Sequence, residues 1–131
     1  MSHYSQIADS TKCPIIVYNV PGRTGCNVLP ETMAELFKTK ENIVGLKEAT
    51  GNLAQASKTM YLTDGKLDMY SGEDGLVVPL MSIGAIGVIS VWSNVALQRY
   101  TICATASSRA IYRQLRASER GSSTCGRTLL R

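Results

Sequence analysis

The sequence is poor in the residues that bind metal ions. Its 131 residues include one histidine, His3, and four cysteines, which lie far apart at positions 13, 26, 103 and 125. A structural zinc site needs about four nitrogen or sulfur ligands, usually with two of them close in sequence. Because no CxxC pair is present, we expect no metal site and no disulfide framework. Free thiols are typical of a reducing compartment, so we expect a cytoplasmic protein.

The start of the sequence shows no pattern typical of an export signal. No charged N-terminal region followed by an apolar stretch opens the chain, so we expect no signal peptide. The longest run without a charge, from Gly75 to Gln98, is long enough to span a bilayer. It contains Pro79, Gly84 and Gly87, which favour a buried helix followed by a buried strand. We therefore expect no membrane partner.

Positive charge is concentrated at the end of the chain. The net charge is +4. Residues 1–95 carry seven Lys or Arg and nine Asp or Glu, whereas residues 96–131 carry seven Arg, no Lys and one acid. A basic tail can bind nucleic acid, but this one has only Tyr100 and Tyr112 as aromatic residues and no recognition motif. We therefore expect no nucleic-acid partner.

Apolar, β-branched stretches alternate with amphipathic ones over residues 1–95. After the end of a helix within residues 1–12, the pattern predicts strands at 15–20, 43–48, 67–71 and 85–91. Helices are predicted from Pro30, over 53–62 and over 76–82. Strands joined by helical crossovers are parallel, so the alternation predicts an α/β fold. Two architectures fit this pattern, a doubly wound open sheet and a (β/α)8 barrel. The phosphate-binding motifs GxGxxG and GxxxxGK[ST], which would favour the open sheet, are absent from the sequence.

Polar groups follow the predicted strands at the ends where those strands stop. They are Tyr18-Asn19, Lys47-Glu48, Ser71-Gly72 and the segment 90–94. In both architectures functional groups gather at the C-terminal ends of parallel strands. The sequence therefore predicts a site at this edge of the sheet.

Lys47 is the most informative residue of this set. It ends an apolar stretch, and an ammonium removed from water costs several kcal/mol unless it is paired or loses its proton. Burial lowers the pKa of a lysine, which makes its free amine available for Schiff-base formation with a carbonyl substrate. The alternative is a lysine that reaches the surface at a strand end. Successive side chains of a strand point to opposite faces, so Lys47 shares a face with Ile43 and Gly45, which is the lumen face in a barrel. Glu48 then points to the opposite face.

Four motifs occur in a family-specific order: Tyr18-Asn-Val-Pro-Gly-Arg-Thr-Gly25, Gly45-Leu-Lys-Glu-Ala-Thr-Gly51, Ser71-Gly-Glu-Asp74 and Gly87-Val-Ile-Ser-Val91. Together they resemble the dihydrodipicolinate synthase family, Schiff-base enzymes of lysine and diaminopimelate biosynthesis. The resemblance covers about residues 3–95. It implies a partial (β/α)8 TIM barrel that corresponds to about its fifth to eighth strands.

The resemblance also implies a role for each matching residue. Lys47 would form a Schiff base with pyruvate, and the resulting enamine would attack aspartate semialdehyde. Tyr18 would act in the proton relay, with a core tyrosine as the structural alternative. Arg23 would bind the carboxylate of the semialdehyde, unless it is a solvated loop arginine. Gly72 and Ile89 would line the pyruvate pocket through backbone groups, unless they only complete the strands. No cofactor is implied.

Arg23 also separates this family from its relatives. N-acetylneuraminate lyase-like members share the lysine strand but are not expected to carry an arginine after Tyr-Asn-x-Pro. Another pyruvate-dependent lyase of that superfamily is therefore the second hypothesis. A non-catalytic fragment is the third.

The chain departs from the family pattern at both ends. The first four strands, with a Thr-Thr-Gly-Glu segment and an interface tyrosine, are not matched, and a TIM barrel takes about 250 residues. We divide the chain into a partial barrel at 1–95 and an Arg/Ser-rich tail at 96–131 without a visible amphipathic helix. We expect a truncated or frame-shifted gene product. Full-length members are expected to form homo-oligomers.

Overall fold

The structure is a computed structural model that describes residues 2–98, 101–102, 104–110 and 113. Helices and strands alternate along it, as the sequence predicts. The helices are α1 (Ser2–Ser10), α2 (Pro21–Thr24), α3 (Pro30–Thr39), α4 (Leu53–Leu62) and α5 (Val77–Ser82), with a 3₁₀ turn at Asp74–Leu76. The strands are β1 (Ile15–Asn19), β2 (Ile43–Glu48), β3 (Asp68–Ser71) and β4 (Gly87–Val88).

The four strands form one parallel sheet in the order β1-β2-β3-β4. Each strand therefore lies beside the one that precedes it in the chain, with a helical connection between them. The predicted parallel α/β arrangement is confirmed. All four C-terminal strand ends lie at the same edge of the sheet.

One face of the sheet is buried under the helices. Val17, Leu46 and Met69 are in register on neighbouring strands and are at most 2% exposed. They pack in one cluster with side chains of α3 and α4, including Leu36 and Met60. Burial of each such side chain contributes about 1.5–3 kcal/mol to folding.

The opposite face is open. Ile16 and Tyr18, which alternate with Val17, are each 42% exposed. A doubly wound sheet is covered by helices on both faces, whereas the inner face of a barrel strand is covered by other strands. The one-sided burial therefore distinguishes a barrel segment from an open sheet.

Strict alternation fails at the start of β2. Ile43 is 1% exposed and belongs to the helix-side cluster, although it was expected on the lumen face with Lys47. The register of β1 and β2 shifts between Ile15 and Ile16, which pair with Ile43 and Gly45. This irregularity lets Ile43 join the core while Gly45 and Lys47 keep the expected phase.

The fourth strand is shorter than the predicted segment 85–91. Only Gly87–Val88 form a regular strand, flanked by hydrogen bonds from Ile86 N–H to Met69 O (2.8 Å) and from Ile89 N–H to Ser71 O (2.9 Å). Among the described residues β4 pairs on one side only. An edge strand has fewer ladder bonds to hold it, so it ends early.

Part of the segment after residue 95 is helical, which the sequence did not predict. Residues 93–98, 101–102, 104–110 and 113 have helical conformation. Ser90 Oγ accepts the Ser93 N–H at 3.0 Å, as an N-cap does. The expectation that this segment lacks a helix is wrong for these residues. The remainder of 96–131 lies outside the described residues, and the division at residue 95 stays a prediction.

Candidate active site

Strand register brings two aromatic residues to the sides of Lys47. Tyr18 on β1 pairs with Lys47 on β2, and Lys47 pairs with Tyr70 on β3. Because registered residues on parallel strands share a face, the three side chains lie in one row on the open face. The Lys47 Nζ lies 4.1 Å from the centroid of the Tyr18 ring, within the range of a cation–π contact. Lys47 is half-buried, not fully buried, because this face of the sheet is uncovered.

Tyr70 was missed by sequence reasoning. The signal that could have found it is its position two residues before Gly72, in the same phase as Lys47 on the neighbouring strand. The Tyr70 ring also lies beside Gly87, where an added Cβ would be 3.4 Å from the ring atom Cδ1. Tyr70 therefore forms the wall of the site on the β4 side.

Gly72 lies directly against the Lys47 side chain. A Cβ at position 72 would come within 3.0 Å of the Lys47 Cγ and Cε and 2.9 Å of the Ala49 Cβ. Such approaches are closer than van der Waals contact allows. The Gly72 N–H donates to Glu48 O at 2.7 Å, which fixes this backbone beside the lysine. Glycine at this position therefore leaves the space that the Lys47 side chain occupies.

Ile89 follows β4 at the same edge of the sheet. Its N–H donates to Ser71 O, and its side chain is 40% exposed. The N–H groups of Gly72 and Ile89 are thus both used within the sheet. Any contact that these residues make with a ligand must come from their carbonyl oxygens or from their shape.

Arg23 lies on α2, in the loop that follows β1 at the same edge. Pro21 starts this single helical turn, with Val20 as its N-cap, and Gly25 ends it with a left-handed φ of 67°. Arg23 is exposed, and no ion pair or side-chain hydrogen bond joins it to another described residue. Its guanidinium is available to bind an anion.

Glu48 points to the helix side of the sheet, as alternation predicted. It is 2% exposed, and its Oε1 accepts the Thr50 N–H at 2.7 Å. Its Oε2 is buried and has no hydrogen-bond partner among the described residues. Burial raises the pKa of Glu48, and the hydrogen bonds from Thr50 offset only part of that effect.

The described residues outside the Lys47 row include one groove on the helical segment. It has a volume of about 900 Å³, and its lining includes Thr101 and Arg109. No group of three His, Cys, Asp or Glu within the described ranges is placed to hold a metal ion. No helix found there has both the length and the apolar character to cross a membrane. Cys13 and Cys26 are free and exposed.

Comparison with known proteins gives a consistent match. Residues 1–115 match the Dihydrodipicolinate synthetase family. The 4-hydroxy-tetrahydrodipicolinate synthase of Lachnoclostridium phytofermentans is 51% identical over 96 residues, which are 73% of this chain and 33% of that protein. The synthase of Trichlorobacter lovleyi is 55% identical over 93 residues, which are 71% of this chain and 32% of that protein. The chain thus spans about a third of the length of these relatives.

A solved structure matches the fold as well. The chloride-inhibited dihydrodipicolinate synthase from Acinetobacter baumannii, complexed with pyruvate, superposes with a TM-score of 0.76 at 34% identity. The match covers 84% of this chain and 40% of that one. The parallel strands with helices on one face correspond to part of such a barrel. The chain therefore belongs to the dihydrodipicolinate synthetase family and forms a partial (β/α)8 TIM barrel.

Proposed function

We propose that this chain supplies the Schiff-base lysine of a dihydrodipicolinate synthase, which condenses pyruvate with aspartate semialdehyde in lysine and diaminopimelate biosynthesis. The observation that carries the proposal is the position of Lys47 at the end of β2. There it lies over Tyr18 and against Gly72, in the motif expected for this chemistry. The relatives named as synthases contribute the family context.

The proposed reaction begins with attack of the Lys47 amine on the keto carbon of pyruvate. Loss of water gives an imine, and removal of a methyl proton gives the enamine. The enamine carbon attacks the aldehyde carbon of the semialdehyde. The amino group of the adduct then displaces Lys47 as the ring closes, which yields hydroxytetrahydrodipicolinate and restores the free lysine. The Tyr18 hydroxyl would relay protons in these steps.

The proposal is tested in a completed barrel, in which the 96 matching residues of the Lachnoclostridium phytofermentans synthase are exchanged for those of this chain. The assay is condensation of pyruvate with aspartate semialdehyde. A completed barrel that folds but condenses pyruvate neither with aspartate semialdehyde nor with any other aldehyde would refute the proposed function. Cleavage of a sugar acid in place of condensation would favour a lyase of the N-acetylneuraminate lyase superfamily.

Gly72→Ala in the completed barrel is expected to slow formation of the pyruvate adduct at Lys47 about ten- to hundredfold. The added methyl group would displace the Lys47 side chain, and a shift of about 1 Å at a reacting atom is enough for such a loss. Borohydride trapping followed by mass spectrometry measures the rate. Gly75→Ala is the matched control, because a Cβ there meets nothing within 4 Å. Equal rates in both variants would contradict the prediction.

Arg23→Ala in the completed barrel is expected to raise the KM for aspartate semialdehyde. Loss of one charged hydrogen-bond partner costs about 1.5–3 kcal/mol, or roughly ten- to hundredfold. Trapping of pyruvate at Lys47 should stay unchanged, because Arg23 is proposed to bind only the second substrate. Steady-state kinetics and borohydride trapping measure the two effects separately. An unchanged KM for the semialdehyde would count against this role.

Glu48→Gln is expected to raise the melting temperature of the completed barrel by a few degrees at pH 7 and by less near pH 4.5. Burial raises the pKa of Glu48 in the folded protein above its value in the unfolded chain. The buried carboxylate therefore lowers the free energy of unfolding once the pH rises above the unfolded-state pKa, and the loss is complete above the folded-state pKa. Near or below the unfolded pKa the carboxyl stays protonated and this cost disappears. Glu35→Gln is an exposed control. Parallel pH dependence of Glu48→Gln and the unmodified protein would argue against the prediction.

The proposed partners are the two small substrates and further copies of the chain in a homo-oligomer. We propose a cytoplasmic location and no cofactor, in line with Schiff-base chemistry in which a lysine amine supplies the nucleophile. Arg23 favours the lysine-pathway enzyme over a sugar-acid lyase, because a carboxylate-bearing second substrate needs a cationic partner.

A further inference from the structure

The loop that carries Arg23 is built as a compact unit. Val20 O accepts the N–H groups of Arg23 (3.0 Å) and Thr24 (3.2 Å). Thr24 Oγ1 donates to Cys26 O at 3.0 Å and accepts the Cys26 N–H at 3.2 Å. The backbone from Val20 to Cys26 is therefore tied together on both sides of the arginine. Anything that fixes the ends of this unit also fixes the backbone that carries Arg23.

Asn19, the last residue of β1, binds the other end of this loop through its side chain. Its side chain is 2% exposed and makes a reciprocal pair of bonds with the backbone of Val28. Oδ1 accepts the Val28 N–H at 3.1 Å, and Nδ2 donates to Val28 O at 3.0 Å. Nδ2 also donates to Asn27 Oδ1 at 3.0 Å. One buried amide at the end of β1 thus holds the far end of the loop.

Gln55 joins the same loop to the neighbouring unit of the barrel. Asn27 Nδ2 donates to Gln55 Oε1 at 2.9 Å, and Gln55 Nε2 donates to Asn27 Oδ1 at 3.0 Å and to Val28 O at 3.2 Å. Gln55 lies in the first turn of α4, where its N–H is capped by Asn52 Oδ1 at 3.0 Å. Helix α4 follows the loop that leaves Lys47. The amide pair therefore connects the arginine loop with the lysine loop.

We propose that Asn19, Asn27 and Gln55, here called the amide cluster, form a positioning device that holds Arg23 at a fixed distance from Lys47. In this way the cluster sets the affinity for the second substrate. The inference rests on the proposed function of Lys47 and Arg23. An arginine on a free loop must be ordered when the substrate binds, and that ordering reduces the affinity. A loop that is already ordered avoids this loss.

Substitutions at Asn27 separate positioning from folding, because Asn27 is exposed and its side chain belongs to the cluster. Asn27→Ala removes all three cluster bonds of the side chain. Asn27→Asp keeps an acceptor for the amides of Asn19 and Gln55, but it loses the bond to Gln55 Oε1 and sets a carboxylate oxygen against that acceptor. In the completed barrel, Asn27→Ala is expected to raise the KM for aspartate semialdehyde about tenfold. Asn27→Asp should raise it less, because two of the three bonds remain, with kcat and pyruvate trapping nearly unchanged in both.

Asn42→Ala is the matched control. Asn42 is a half-buried asparagine whose Nδ2 donates to Ala8 O and Thr11 O, both at 2.9 Å, and it lies before β2 at the opposite edge of the sheet. Its loss should lower the melting temperature without changing either KM. Gln55→Ala should reproduce the effect of Asn27→Ala, and the two effects should not add in the double variant.

The outcomes distinguish this inference from the proposed function. If the unmodified completed barrel is not labelled at Lys47 by pyruvate and borohydride, the proposed function itself fails. If Lys47 is labelled and the semialdehyde KM of Asn27→Ala is unchanged, the positioning role is overturned. It is also overturned if Asn27→Asp is no better than Asn27→Ala, or if Asn42→Ala raises the same KM equally.

Discussion

Lys47→Ala is expected to abolish the covalent adduct that pyruvate and borohydride form with the completed barrel. Alanine has no amine, so no imine can form at the end of β2, and no neighbouring residue can replace it. Tyr18 and Tyr70, which flank position 47 in the sheet, carry hydroxyls, and a hydroxyl cannot form an imine. Condensation of pyruvate with the semialdehyde should fall to the level of the uncatalysed reaction. Mass spectrometry of tryptic peptides locates the adduct, and steady-state assays measure the loss of turnover.

The control for this experiment is Lys58→Ala. Lys58 lies on α4, is 55% exposed and forms a surface ion pair with Glu31. Such pairs contribute little to stability, so this variant should fold, form the adduct and turn over normally. Labelling of a different lysine with full turnover in Lys47→Ala would refute the assignment of the Schiff base.

The chain of 131 residues, expressed alone, is expected to show no condensation activity and to self-associate. Its lumen face exposes Ile16, Tyr18 and Ile89, each at least 40% accessible, where other strands of a barrel would cover them. The outer edges of β1 and β4 also lack strand partners among the described residues. Exposed apolar faces and open strand edges both promote association. Light scattering and the condensation assay measure these two properties.

Association need not leave the sheet open. Two copies could pair their free edges, and that would stabilise the strands without restoring turnover. The Thr-Thr-Gly-Glu segment implied by the family resemblance, whose hydroxyls would join the proton relay, belongs to strands that this chain does not match. A pair of these chains would still lack it. Lys47 could then react with pyruvate while condensation stays absent. A soluble monomer with the turnover of the completed barrel would show that the other strands are not needed.

The elements with strong local signals were predicted closely. The bounds predicted for β2 and α4 agree with Ile43–Glu48 and Leu53–Leu62. An uninterrupted apolar stretch defines the first, and Asn52 supplies a helix cap immediately before the second. By contrast, α2 is a single turn, and β4 is an edge strand of two residues. In such short elements neighbouring structure outweighs local preference, so periodicity carries little information about them.

The candidate site divides in the same way. The sequence by itself determined that Lys47 lies at the end of a strand and that Arg23 lies in the loop after the preceding strand. It also determined which family motifs are present. Only the tertiary structure decided which distant side chains meet. Register set Tyr18 and Tyr70 beside Lys47, and the packing of α4 brought Gln55 to Asn27, 28 positions away. Such contacts depend on strand pairing and crossover geometry, which no local pattern specifies.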